Sequence, residues 1–423
     1  MRTDASPVPP PGSAPVPATD ADAAFPTPKS LPEVLERSIP IRTGDLTRLL
    51  LAEPDLAPDE REQFAQLAKL LGAMIVYEFH NWQKELKELY APLDPDTDCV
   101  FLNGHSHSLT ETADEMFLGA FETALIRANY RLLDPSILEF AIQAPNEMGL
   151  TYVPNLGLFE HMRVYVRGSA QIARTRRDPR KLLRKQALSL DGYQRVIVAL
   201  KFRPGTKLGP YARSDVLYLR LFKDVPHVDL EMHLPEQGTK VKMRMIDKAQ
   251  IASPLVVGLP TLAFKLLFAS LVSPWAIGGV LLGPISAGLN SFFGFQRAKQ
   301  RHLNYMIRHL YYLTLASNSS VINHLIDSAQ DEEFKEALLA YYFLWRLGDD
   351  AEPWDKERLD RRIEDYVKAK TGLEIDFEIG DALHKLTRLG LLQRDAQEHL
   401  YAAPIDRALA ILDEQWDAFF QFP

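Results

Sequence analysis

Apolar residues recur at three- and four-residue spacing through the first third of the chain, then switch to alternation, then run together. The helical spacing is clearest in APDEREQFAQLAKLLGAMIVYEFHNWQKELKELYAPLD. There Phe64, Leu67, Leu70, Leu71, Met74, Ile75 and Phe79 mark one face. This predicts a helix starting near Pro58, with Asp59 and Glu60 in its first turn, and ending before Pro92. Shorter helices are predicted after Ser30, over Ser108–Ala128 and from Pro135. From Leu150 to Met245, HMRVYVRG, YQRVIVALKF, DVLYLRLF, HVDLEMHL and KVKMRMI alternate with β-branched and aromatic residues. They predict an antiparallel sheet of five or six strands. Past the apolar run, helices are predicted over Ala298–Ser328 and Glu332–Leu347. Helices over Lys356–Lys370 and Ile379–Gly390, a hairpin over Leu391–Ala402 and a helix over Pro404–Phe420 follow. That last order is the order of a winged helix.

The fold class is therefore α+β. Its expected parts are a Pro-rich tail (1–30), a helical N-terminal domain (31–149), a basic antiparallel β domain (150–250) and an apolar segment (251–296). Long helices (297–348) and a winged-helix-like unit (349–423) complete it. The apolar segment has 31 consecutive residues without a formal charge, Leu266–Gln296. Ser273-Pro274 divides Ile251–Gln296 into two pieces of about 21 residues, each reaching roughly 31 Å as a helix. A transmembrane helical hairpin is the expectation; the alternative is a buried hairpin of an aqueous fold. Lys240, Lys242, Arg244 and Lys248 precede it, and Arg297, Lys299, Arg301 and Arg308 follow. Positive flanks on both sides place both termini on the cytoplasmic face.

Charge sharpens this division. The net charge of −8 conceals −13 over Met1–Phe159 and +11 over Glu160–Gln250. The basic band is densest in ARTRRDPRKLLRK, where Arg176, Arg177, Arg180 and Lys181 are the expected contacts to anionic lipid headgroups. Such a cluster can also meet nucleic acid. The winged-helix-like unit is net acidic, which argues for a protein partner and against nucleic acid. The single cysteine, Cys99, excludes an intramolecular disulfide and a CxxC zinc site.

Catalytic chemistry leaves few traces. His227, Asp229, Glu231 and His233 share one face if HVDLEMHL is a strand, which suits an acid–base or metal site. A solvated strand face explains them equally well. His105 and His107 form an HxH pair with no third ligand at a recognisable spacing. No phosphate-binding, nucleophile-elbow or HExxH motif occurs, and no cofactor is expected.

Separated motifs in fixed order resemble the transmembrane-protein-143-like family, whose shared region has no known function. They are SIPIRTGDLTRLL, VYVRG, YLRLFKDVPHVDLEMHLPEQGTKVKMRMIDKAQI, HLYYLTLASNSSVINHLIDSAQDEEFKEALLAYYFLW and IDFEIGDALHKLTRLGLL. The resemblance covers about Ser38–Asp417 and implies a membrane protein with a paired apolar segment. It supplies no catalytic residue. The resulting expectation is an integral, multi-pass membrane protein acting as a binding or scaffold module with cytoplasmic domains. A bacterial inner membrane is expected, or a mitochondrial one if the source is eukaryotic. The alternatives are an enzyme acting on a lipid or membrane-near substrate, and a membrane-tethered nucleic-acid binder.

Overall fold

Phe64, Leu67, Leu71, Met74, Ile75 and Phe79 line the buried face of one long helix, as their spacing predicts. A computed structural model describes residues 36–98, 110–134, 136–137, 150–153, 155–178, 184–210, 212–227, 230, 240–243, 300, 304, 311–347 and 353–419. Among them, α1 is Thr43–Leu51, α2 is Pro58–Tyr90 and α3 is Thr110–Arg127. Pro58 begins α2, where a missing N–H costs nothing, and Glu60 accepts a hydrogen bond from the Ala57 N–H at 2.9 Å. After the sheet come α4 (Ser319–Leu347), α5 (Lys356–Thr371), α6 (Ile379–Arg388) and α7 (Ile405–Ala418).

The main sheet is antiparallel, in the order β1-β3-β4-β5-β7. Its strands are β1 (Arg131–Leu132), β3 (Phe159–Asp178), β4 (Arg184–Phe202), β5 (Leu217–Pro226) and β7 (Thr314–Ser317). Both faces of its central part are buried. Tyr165, Ile197, Ala199, Leu219 and Leu221 meet the helices, whereas Val164, Val166, Val196, Val198 and Phe222 form a second cluster behind. This explains why RVIVAL reads as a nearly continuous apolar run rather than a clean alternation. β2 (Leu150–Val153) pairs separately with β6 (Lys240–Met243), so KVKM belongs to another, two-stranded sheet.

The larger core cluster runs from Ile39 to Leu412 and joins α1, α2 and α3, the helix-facing side of the sheet, and α4 through α7. Within the C-terminal part, α5, α6, the wing formed by β8 (Leu392–Arg394) and β9 (Leu400–Ala402), and α7 follow the expected order. Gly372 closes α5 in the left-handed region, at φ 74°.

Two expectations need correction. The helix expected over Ala298–Ser328 is interrupted by β7, and α4 then runs unbroken through Asp331 to Leu347. The acidic run DEEFKE lies inside this helix, with Glu332 paired to Lys335 and Glu333 to Arg127. The second correction concerns the membrane. Among the described residues no helix is long and apolar enough to cross one, and the hairpin expected at 251–296 lies outside them. The two longest helices, α2 and α4, both carry many ionised side chains. The expectations of an integral, multi-pass membrane protein, of transmembrane helices and of residence in a bacterial or mitochondrial membrane are therefore withdrawn.

Candidate functional site

The basic band acquires a definite backbone form. β3 and β4 pair along their whole length, from Phe159↔Phe202 to Asp178↔Arg184. β5 accompanies β4 only as far as Gly192↔Pro226, and β1 reaches β3 only at Tyr165 and Val166. From Gln171↔Asp191 outward, β3 and β4 thus pair only with each other among the described strands. The eight pairs from there to Asp178↔Arg184 form a ribbon about 25 Å long. At its base Gln171, Ala173, Ser189 and Asp191 are exposed. Gln171 donates to Asp191 at 2.8 Å and accepts from the Ser189 hydroxyl at 2.6 Å, tying the two strands together.

Register sets Arg174 opposite Leu188, Arg176 opposite Gln186, Arg177 opposite Lys185 and Asp178 opposite Arg184. Of the expected headgroup contacts, Arg176 and Arg177 therefore stand opposite Gln186 and Lys185. Arg180 and Lys181 lie outside the described residues, between the two strand ends. Residues 171–191 carry seven Arg or Lys against Asp178 and Asp191.

The expected acid–base strand does not continue as drawn. β5 ends at Pro226, so His227 lies beyond the ladder instead of extending it. His227 is half-buried against the Tyr193 ring, 4.5 Å between centroids, and burial lowers its pKa. Asp229, Glu231 and His233 lie outside the described residues, as do His105 and His107.

A cluster that the sequence did not flag lies where α3 meets the sheet. Asp114, near the start of α3, is 5% exposed, and its Oδ2 is ion-paired with the buried Lys201 of β4. Lys201 Nζ also lies 3.7 Å from Glu160, and His161 Nε2 lies 3.9 Å from Asp114. Glu160 and His161 are sequence neighbours, which regular alternation would send to opposite faces. The register explains their convergence: Phe159 pairs with Phe202 and His161 with Lys201, leaving Glu160 as the extra residue of a bulge. No motif spacing reveals this cluster, because it joins three separated elements through one register shift.

Two cations of the C-terminal unit are held by acidic partners on other helices. In α6, Lys385 is buried and ion-paired with Glu333 and Glu78, and Arg388 pairs with Glu78. Burial would raise the Glu78 pKa, but the Arg388 hydrogen bond and the nearby cations Lys385 and Arg127 outweigh it and lower it. The helix that would read a DNA groove in a winged helix thus buries one of its cations, Lys385, and engages the exposed Arg388 with Glu78.

Residues 159–320 match the model of a family described as a protein of unknown function, DUF3754. The matched region begins at the first residue of β3 and ends in the first turn of α4, so it contains the ribbon and the bulge. No solved structure matches the chain.

Proposed function

We propose that this chain is a binding protein that holds phosphate-bearing lipid headgroups through the β3–β4 ribbon. The observation that carries the reading is the ribbon itself. Two strands leave the body of the sheet together and bring five cations within eight register pairs, with Arg180 and Lys181 following in the sequence between them. Surface attraction of this kind contributes about 1 kcal/mol per basic residue and needs no membrane-crossing helix. We read the chain as a relative of the transmembrane-protein-143-like proteins. That reading is supported by VYVRG and YLRLFKDVP, which lie inside the matched region on β3 and β5. The paired apolar segment of that family is not carried over.

A second reading is that the C-terminal unit takes a protein partner rather than DNA. It is supported by the burial of Lys385 and by the pairing of the exposed Arg388 with Glu78, which leave His384 and Thr387 beside Arg388 on the exposed side of the same helix.

One co-sedimentation series tests both readings. The full chain should sediment with vesicles rich in anionic lipid and not with neutral ones. Replacing Arg176, Arg177, Arg180 and Lys181 by Ala should weaken sedimentation at least tenfold, and raising salt should do likewise, since screening acts over about 8–10 Å. Equal sedimentation with both vesicle types would refute the ribbon reading. Duplex DNA retained by the four-alanine variant would overturn the second.

A further inference from the structure

We propose that Asp114, Glu160 and His161 form a divalent-cation site of the zinc or manganese class. In that site the metal takes the place held by the Lys201 ammonium. Their ligating atoms lie within 4.8 Å of one another. A metal with bonds of about 2.0–2.2 Å to nitrogen and carboxylate oxygen would draw them closer by roughly 1 Å. Glu160 and His161 are partly exposed and can move that far, whereas Asp114 is fixed by burial on α3.

Two observations beyond proximity point to a cation. First, the Asp114 Oδ1 is buried and has no hydrogen-bond partner, although its Oδ2 is paired with Lys201. A buried carboxylate oxygen left in this state is unfavourable, and a cation in place of the ammonium would satisfy it when both Asp114 oxygens hold the ion. Second, the bulge at Glu160 places two successive donors on the same side of the ladder. Bulges commonly re-aim side chains at functional positions. Two carboxylates and one imidazole suit zinc and manganese, and three protein ligands leave a position open. The partial exposure of Glu160 and His161 provides the entry path. Lys201 holds both carboxylates together until the metal arrives, then swings out.

The test uses the full chain, stripped with chelator and titrated with zinc or manganese by calorimetry. One equivalent should bind. Glu160→Gln and His161→Ala should each weaken binding at least tenfold while leaving the metal-free melting temperature unchanged. Lys201→Met removes the competing ammonium. It should lower the metal-free melting temperature, and the metal should raise that temperature more than it does in the parent. Unchanged affinity in both Glu160→Gln and His161→Ala would overturn the proposal, whether or not Lys201→Met folds.

Discussion

Asp360 on α5 has one carboxylate oxygen buried without a hydrogen-bond partner. Burial, and then the neighbouring Glu364 and Asp376, push its pKa from 3.8 up to about 6. A folded-state pKa raised above the unfolded one means that folding favours the protonated acid. The contribution to stability is fully present below about pH 4 and is lost as pH rises through 6. Asp360→Asn keeps the shape and removes the titration. It should be more stable than the parent at pH 7 by about 1 kcal/mol, after allowing for solvent screening. The gap should close near pH 4. Thermal melts of both chains across that range check it, and parallel pH profiles would count against it. Glu336 on α4 follows the same logic more strongly. Burial and then Glu332 raise its pKa, and Asn129 donates to it at 3.4 Å. None of this was legible in the sequence, since RLDRR and KEA read as ordinary exposed helix faces. Which carboxylates lose water depends on packing between α4, α5 and their neighbours, and no local pattern encodes that.

Elements with strong periodicity were readable, and those set by one backbone residue were not. α2 and α3 lie close to where their apolar spacing placed them, and the strand cores of β3, β4 and β5 carry the expected motifs. The misplaced boundary is at Asn318. This buried residue sits at φ 51° between β7 and α4, a conformation that asparagine tolerates better than most residues. Its backbone N–H donates to the Leu219 carbonyl at 2.8 Å, and its Oδ1 accepts from the Leu219 N–H at 3.2 Å. Its Nδ2 donates to Asp96 at 2.5 Å. One side chain thus docks β7 onto β5 and turns the chain into α4. Asn318→Ala should cost about 2–4 kcal/mol, because it strands buried groups and strains the left-handed backbone. Asn318→Gly, which relieves the strain only, should cost less. Denaturant midpoints for the two variants measure the order, and equal losses would argue against a conformational share. Of the ribbon, only the flanking strand cores HMRVYVRG and YQRVIVALKF and the basic charge between them were legible. Its reach was not, because where β5 stops pairing depends on partner length rather than on β3 or β4 themselves.

At the scale of the whole molecule, the acidic run of α4 joins the N- and C-terminal parts of the chain. Glu332 accepts from the Ile39 N–H at 2.9 Å and pairs with Lys335 at 2.8 Å, while Lys335 donates to the Ile39 carbonyl. Glu333 pairs with Arg127 of α3 and Lys385 of α6, and both cations also reach Glu78 of α2. Arg127 in turn stacks over Phe79 and Trp82, with centroid distances of 4.5 and 4.6 Å. Four helices therefore meet at one ionic network whose centre, Glu333 and Lys385, is buried. A network of this kind is costly to break, because removing one partner leaves the opposite charge desolvated. Lys385→Met should destabilise by about 3 kcal/mol, whereas Arg388→Ala, at a half-exposed position, should cost under about 1 kcal/mol. Adding Glu333→Gln to Lys385→Met should recover part of the loss, since the uncompensated carboxylate is then gone. Hydrogen exchange should report the first opening in α5, the wing and α7, because α6 ties that region to α2 and α4. Equal losses for Lys385→Met and Arg388→Ala, with no recovery in the double variant, would show that apolar packing alone seats the C-terminal unit. In that event the burial of Lys385 would no longer bear on what the unit binds.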